Sequence, residues 1–179
     1  MTTLTDPLLS ILIPCVPSRL SLQASALLAK LEAQRELDKL DVEILLLCDN
    51  KRRPVGAKRQ ALLEQARGQY VAFCDDDDDV SDDYLLSLCS GAIRGKDVVT
   101  FRQRVIVTGQ GEGEALFSLH HASDEPFGVG AQFKRRPWHV CAYRRELALR
   151  GVCTEKNYGE DADWVDQVAP FIQIGRAHV

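Results

Sequence analysis

Five consecutive carboxylates, Asp75-Asp76-Asp77-Asp78-Asp79, stand directly behind the apolar stretch Tyr70-Val71-Ala72-Phe73-Cys74. Adjacent like charges repel, and only full hydration or cations among them relieve the cost. The stretch in front of the run reads as a buried strand, and full hydration is hard to reach at the end of such a strand. A hard divalent cation with oxygen ligands is the natural counter-charge. Mg²⁺ or Mn²⁺ held by one or two carboxylates commonly completes its shell with substrate phosphates, so the run points to a phosphate-bearing substrate. A solvated acidic loop is the plainer alternative, and the strand signal weighs against it.

The elements around the run must bring further polar groups to it. Leu8 to Val16 is a short apolar run ended by Pro17, the pattern of a buried strand. From Leu20 to Leu40, Leu22, Leu27, Leu28, Leu31, Leu37 and Leu40 recur at helical spacing with charges between them. Val42 to Cys48 reads as a second strand, ended by Asp49-Asn50. Val55 to Arg67 reads as a helix closed by Gly68 as its C′ residue. Tyr70 to Cys74 is the third strand. A helix follows from Ser81 to Ile93, with Ser81 as N-cap and Asp82 and Asp83 in its first turn. Val98 to Val107 is a fourth strand. Strand and helix alternate, which predicts an α/β fold with a mostly parallel sheet flanked by helices. Ligands in such sheets bind beyond the carboxyl ends of the strands. Pro14 to Arg19, Asp49-Asn50 and the acidic run all fall there.

Gly109 to Gly130 is rich in Gly, Ser, His and Glu and reads as a long loop. The adjacent His120-His121 make a poor metal fork, because neighbours on a strand point to opposite faces. Arg135 to Arg150 reads as strand then helix. Tyr158-Gly159-Glu160-Asp161 leads into a short helix with Trp164, Val165 and Val168, stopped by Pro170.

Composition narrows the class. A chain of 179 residues suffices for one domain with a real core. A net charge of −4 gives no global basic field for nucleic acid. No apolar run reaches the ~18 residues of a membrane span, and the N-terminus lacks the basic region of a signal peptide, so a cytoplasmic protein is expected, with peripheral membrane contact left open. The six cysteines, Cys15, Cys48, Cys74, Cys89, Cys141 and Cys153, include no CxxC pair and read as buried thiols.

Four segments, in order, resemble the family 2-like glycosyltransferases with a GT-A fold. Ser10-Ile11-Leu12-Ile13-Pro14 is similar to that family's first strand, and Val42 to Asp49 to its second, whose final Asp binds the base. Gly56-Ala57-Lys58-Arg59-Gln60, followed by Ala66 to Asp77, resembles the stretch from the family's Arg-Asn pair to its DxD motif. Gly159-Glu160-Asp161-Ala162-Asp163-Trp164 resembles the segment carrying the catalytic base of inverting members. Two positions depart from the pattern: Val16 stands where an aromatic residue often packs on the base, and Gln60 replaces the Asn.

The resemblance implies a single domain over 1–173, with a donor half near 8–108 and an acceptor and base half near 109–173. It implies transfer of a sugar from a nucleotide-diphosphate donor to a hydroxyl of a glycan, lipid-linked or protein acceptor, with inversion. Pro14, Cys15, Val16, Arg19, Asp49, Arg59, Asp75 and Asp76 are the expected nucleotide-sugar contacts. Asp77, with Asp75, is expected to hold Mn²⁺ or Mg²⁺, which stabilises the departing diphosphate. Asp78 and Asp79 are expected to take no part, because a strand end presents alternate side chains to one side. Asp161 is the expected general base, with Glu160 as fallback. Trp138, His139 and Trp164 are expected acceptor contacts, the indoles because sugar C–H faces pack well on aromatic rings.

Two other readings remain at this level. A phosphohydrolase of the haloacid dehalogenase type also places a DxD after a strand, with Asp75 as nucleophile and Asp77 as acid and base. A non-catalytic metal- or glycan-binding remnant is the third. The final Ile174-Gly175-Arg176-Ala177-His178-Val179 matches the translation of a common sequencing adapter, so a non-native tail after Gln173 is expected and His178 is not read as a ligand.

Overall fold

The computed structural model describes residues 6–121 and 124–173. The adapter-like tail, 174–179, lies outside the described residues, as do residues 1–5. Elements follow in the order β1 (Leu9–Cys15), α1 (Pro17–Arg19), a π-helical segment (Leu20–Ala24), α2 (Ser25–Leu37), β2 (Val42–Cys48), α3 (Val55–Gln65), β3 (Tyr70–Phe73) and α4 (Tyr84–Ile93). The second half adds β4 (Val98–Val99), β5 (Arg102–Val107), β6 (Gly111–Phe117), β7 (Gln132–Arg135), β8 (Ala142–Arg144), α5 (Arg145–Ala148) and α6 (Glu160–Val168), closed by a 3₁₀ turn at Ala169–Phe171.

The central sheet has the order β2-β1-β3-β8-β4. β1 runs parallel to β2 and β3, while β8 is antiparallel to both β3 and β4. A strand's side chains alternate between faces, and here both faces are covered. Ile11, Ile13, Tyr70, Ala72 and Val99 join Leu27 and Leu31 of α2 and Leu85 and Leu88 of α4 in one core. Leu12, Val71, Phe73, Val98 and Tyr143 join Leu62 and Leu63 of α3 and Trp164, Val165 and Val168 of α6 in the other. Double burial is why β1 and β3 read as continuous apolar runs. A second sheet, β5-β6-β7, stands beside the first.

Several expected elements change form. The helix from Leu20 is interrupted by the π segment and becomes regular only at Ser25, and Leu22 and Leu37 are exposed. Ser81 does not cap the next helix: its Oγ donates to Asp83 Oδ1, and α4 begins at Tyr84. The strand expected over Val98 to Val107 divides at Thr100-Phe101 between the two sheets. The stretch Gly109 to Gly130 is not all loop. Gly111–Phe117 pairs antiparallel with β5 across a turn in which Gln110 N donates to Val107 O at 2.9 Å. Gly68 is not in the left-handed conformation of a C′ residue, because α3 already turns extended at Ala66, with ψ 135°. Glycine is needed for a different reason: a Cβ there would lie 2.5 Å from Ser10 N.

That close approach belongs to a clamp at the start of the sheet. Ser10 Oγ donates to Glu43 Oε2 at 2.7 Å and accepts from Gly68 N at 2.8 Å. Arg67 N and Nε donate to the same carboxylate at 3.0 and 2.8 Å. Burial alone would raise the Glu43 carboxyl. The Arg67 backbone N–H, the Ser10 hydroxyl and the Arg67 guanidinium outweigh it and hold the group below its usual 4.5. A lowered carboxyl stabilises the fold above the unfolded value and loses that contribution as pH falls through the folded one. Glu43→Gln is therefore expected to cost about 1–2 kcal/mol at pH 7, read by urea unfolding, with the difference shrinking as pH falls below 4.5.

Candidate active site

Pro14 and Val16 at the end of β1, the acidic run after β3, the start of α3 and the start of α6 converge on one cleft of about 770 Å³. This is the carboxyl-end edge of the parallel strands, where the alternation of elements places a ligand. The volume lies within the usual range for a bound small molecule.

The negative charge of the acidic run is met by specific cations. Arg59 is buried on α3, because its position on the helix faces the strand ends rather than solvent. Its Nη2 lies 2.7 Å from Asp75 Oδ1 and its Nε 3.2 Å from Glu160 Oε1, and its guanidinium stands 5.1 Å over the Phe73 ring. Its Nη1 is buried with no hydrogen-bond partner among the described residues. Arg19 spans two carboxylates, with Nη1 2.8 Å from Asp76 Oδ1 and Nη2 2.8 Å from Asp77 Oδ2. His139 is buried between two more, its Nδ1 3.1 Å from Asp161 Oδ2 and its Nε2 3.7 Å from Asp75 Oδ2.

These contacts divide the carboxylates by charge state. Burial would raise Asp75, but His139 and Arg59 outweigh it and hold the group well below the usual carboxylate range. Burial would also raise Asp161, and contact with His139 more than offsets it. Asp78 moves the other way: burial and the neighbouring Asp75 carboxylate push it up to about 6.

The expected site residues separate into those that face the cleft and those that build it. Pro14, Val16, Arg19, Arg59, Asp75, Asp77, Trp138, Glu160 and Asp161 all line it. Glu160 Oε1 meets Arg59, and the half-buried Asp161 accepts from Ala162 N at 2.8 Å through Oδ1 and faces His139 Nδ1 through Oδ2. Asp76 lines the cleft too, but both its oxygens are taken, Oδ1 by Arg19 and Oδ2 by Val16 N at 2.8 Å. It ties β1 to the acidic run rather than waiting for a ribose. Cys15 turns its thiol into the core, where burial pushes it up to about 12, and its carbonyl accepts from Lys58 Nζ at 2.8 Å. Asp49 is likewise consumed: Oδ1 meets Lys58 Nζ at 2.9 Å and Lys51 N at 3.1 Å, and Oδ2 meets Arg53 Nε at 3.0 Å. Trp164 is no acceptor contact. It is 1% exposed, packed edge-on against Phe73 and Tyr143, and its Nε1 donates to Ala148 O at 3.1 Å.

Four lining residues had no separate signal in the sequence: Lys51, Arg53, Asn157 and Tyr158. Their short loops gain meaning only from where the strands end. Lys58 was equally silent, since a Lys beside an Arg on a helix reads as solvated, yet it is 3% exposed.

The donor chemistry fits a hard divalent ion. Asp77 is partly exposed, and Asp75 lines the same cleft. No group of three or more protein ligands stands ready among the described residues. An ion here would take most of its shell from phosphate and water, as Mg²⁺ commonly does.

Fold and cleft together are those of a GT-A domain, a doubly covered sheet whose strand ends carry an acidic run over a phosphate-sized cleft. The family model described as glycosyl transferase family 2 matches residues 26–150, and the chain belongs to that family. No curated protein is similar enough in sequence to match. Among solved structures, S. aureus TarS 1-349 superposes with a TM-score of 0.56 at 15% identity, covering 96% of this chain and 57% of that one. Longer S. aureus TarS gives 0.59 at 15% identity, with coverages of 96% and 35%. TarS 1-349 in complex with UDP-GlcNAc gives 0.58 at 15% identity, with coverages of 96% and 55%. The chain thus spans little more than half of TarS 1-349. Among the described residues, no helix is long and apolar enough to cross a membrane.

Lys58 is buried, and its Nζ joins the Cys15 carbonyl to Asp49. Lys58→Met is therefore expected to lower stability in urea unfolding by more than Arg53→Met, whose side chain is exposed.

Proposed function

We propose that the chain forms the donor-binding and catalytic part of a metal-dependent, inverting glycosyltransferase. The observation that carries this reading is the arrangement of one cleft: Asp75 and Asp77 on one wall, Arg19, Lys51, Arg53 and Arg59 around it, and the ionised Asp161 beside it. A nucleoside-diphosphate sugar is the ligand whose charge fits that set. TarS was solved with UDP and with UDP-GlcNAc, which makes UDP the first nucleotide to test.

Asp77, with an oxygen of Asp75, would hold Mn²⁺ or Mg²⁺. Such an ion supplies charge stabilisation to the departing diphosphate. The protein's own residues do the rest. Arg59, Lys51 and Arg53 line the cleft and supply positive charge to it. Asp161 Oδ2 takes the proton from the acceptor hydroxyl as that oxygen forms its bond to the anomeric carbon. The bond from that carbon to the phosphate oxygen breaks, and the nucleoside diphosphate leaves with the electron pair. A lowered carboxyl serves as base here because the hydroxyl becomes acidic only as the new bond forms. His139 holds Asp161 in place.

No observation favours the aspartyl-phosphate reading, and membership of glycosyl transferase family 2 argues against it.

Asp161→Asn separates binding from chemistry. The variant is expected to retain donor binding and to lose transfer by about 10²–10⁴-fold, measured by release of UDP from UDP-sugar in the presence of acceptor. An unchanged rate, or a phosphorylated Asp75, would sink the proposal.

A further inference from the structure

We propose that a second cavity beside the cleft is the acceptor subsite, and that it takes one uncharged, hydroxylated ring, a neutral pyranoside. This rests on the glycosyl-transfer reading. The cavity measures about 220 Å³ and lies between the β5-β6-β7 sheet and the end of β3.

Its position is the first argument. Asp75 and Trp138 line both the cleft and this cavity. His139 lines the cavity and touches Asp161, which lines the cleft. A hydroxyl on a ring held here would therefore approach the reacting centre across the wall that carries the base, while the donor occupies the larger space.

Size and surface are the second. A cavity of about 150 Å³ holds benzene, so about 220 Å³ holds one six-membered ring with its hydroxyls and not a disaccharide. Phe117, Phe127, Phe133 and Trp138 supply aromatic surface for ring C–H groups, and Phe127 and Phe133 brace each other edge-on at 5.8 Å. The polar side of the cavity carries Gln103, Asp78 and His139. His139 Nε2, 3.7 Å from Asp75 Oδ2, is buried without a hydrogen-bond partner among the described residues. Buried polar atoms are ordinarily satisfied, and a hydroxyl of a bound ring would satisfy this one.

Charge is the third. The cavity contains the carboxylates of Asp75 and Asp78, and its one arginine, Arg135, is already engaged. Arg135 lies 3.4 Å from Asp124 and stacks 4.8 Å over Trp138. An acceptor group bearing phosphate or carboxylate at this position would meet repulsion with no free cation to offset it. The Phe wall rewards a ring rather than an open chain, and the polar side rewards hydroxyls over a plain arene.

The test is calorimetric titration of the full chain, with UDP and Mn²⁺ present, using methyl hexopyranosides, a hexose 6-phosphate and phenol as probes. Val105→Phe fills the cavity from β5, and Gln103→Ala removes an amide from its lining while leaving the β5 backbone pairing in place, so at least the second variant keeps the fold. The expected result is binding of at least one methyl pyranoside, weakened about tenfold or more by Val105→Phe, a difference of about 1.4 kcal/mol, and weakened less by Gln103→Ala, with UDP affinity unchanged in both. Pyranoside binding that neither variant alters overturns the inference. So does tighter binding of the phosphate or of phenol, or UDP binding with no pyranoside binding at all. Failure of UDP to bind the unaltered chain overturns the transfer reading instead, and the pyranoside arm then judges the cavity as a sugar site on its own.

Discussion

The concentration of negative charge behind β3 is the constraint from which the rest of the structure follows. Carboxylates packed at the end of a buried strand would not stay ionised alone. Each element that meets the run supplies a counter-charge or holds one. α3 carries Arg59, the turn after β1 carries Arg19, and the segment between β7 and β8 carries His139. Glu160 then fixes Arg59 from the far side, which fastens the start of α6, and with it Asp161, to the same centre. Asp78, half-buried beside the Asp75 carboxylate, is the one the arrangement pushes towards its neutral form.

The parts of the fold buried on both faces were legible in the sequence. β1 and β3 follow from their apolar runs, because burial leaves little choice of residue there, and the half-buried edge strand β2 follows from its apolar run as well. The second sheet was not. β6 carries two glycines and two glutamates in seven residues, so its composition is that of a loop, and only its pairing with β5 makes it a strand. The break at Thr100-Phe101 was hidden for a similar reason: Val98 to Val107 alternates acceptably as one strand, and which sheet each half joins is a tertiary matter.

The site was legible by type and only partly by role. The strand-end argument favoured Asp77 and Asp75 and set Asp78 aside, although Asp78 is the aspartate pushed towards neutrality. Asp76, Asp49 and Lys58 tie neighbouring turns together, since buried polar groups demand partners and the nearest partners are one another. Trp164 stands three residues after Asp161, on a neighbouring stripe of α6, yet its ring is buried against Phe73 and Tyr143 while Asp161 lines the cleft. Adjacency in sequence places a residue near a site; depth of burial decides whether it can meet a ligand.

A divalent ion bridged to a diphosphate is the ligand proposed for the acidic run and its arginines. Calorimetric titration of UDP into the full chain, with Mn²⁺ and then with a chelator, repeated on Asp77→Ala, is the decisive experiment. Binding is expected to require Mn²⁺ and to weaken at least about tenfold in Asp77→Ala, a change of about 1.4 kcal/mol. Equal UDP affinity with and without the metal, or in Asp77→Ala, would rule the site out.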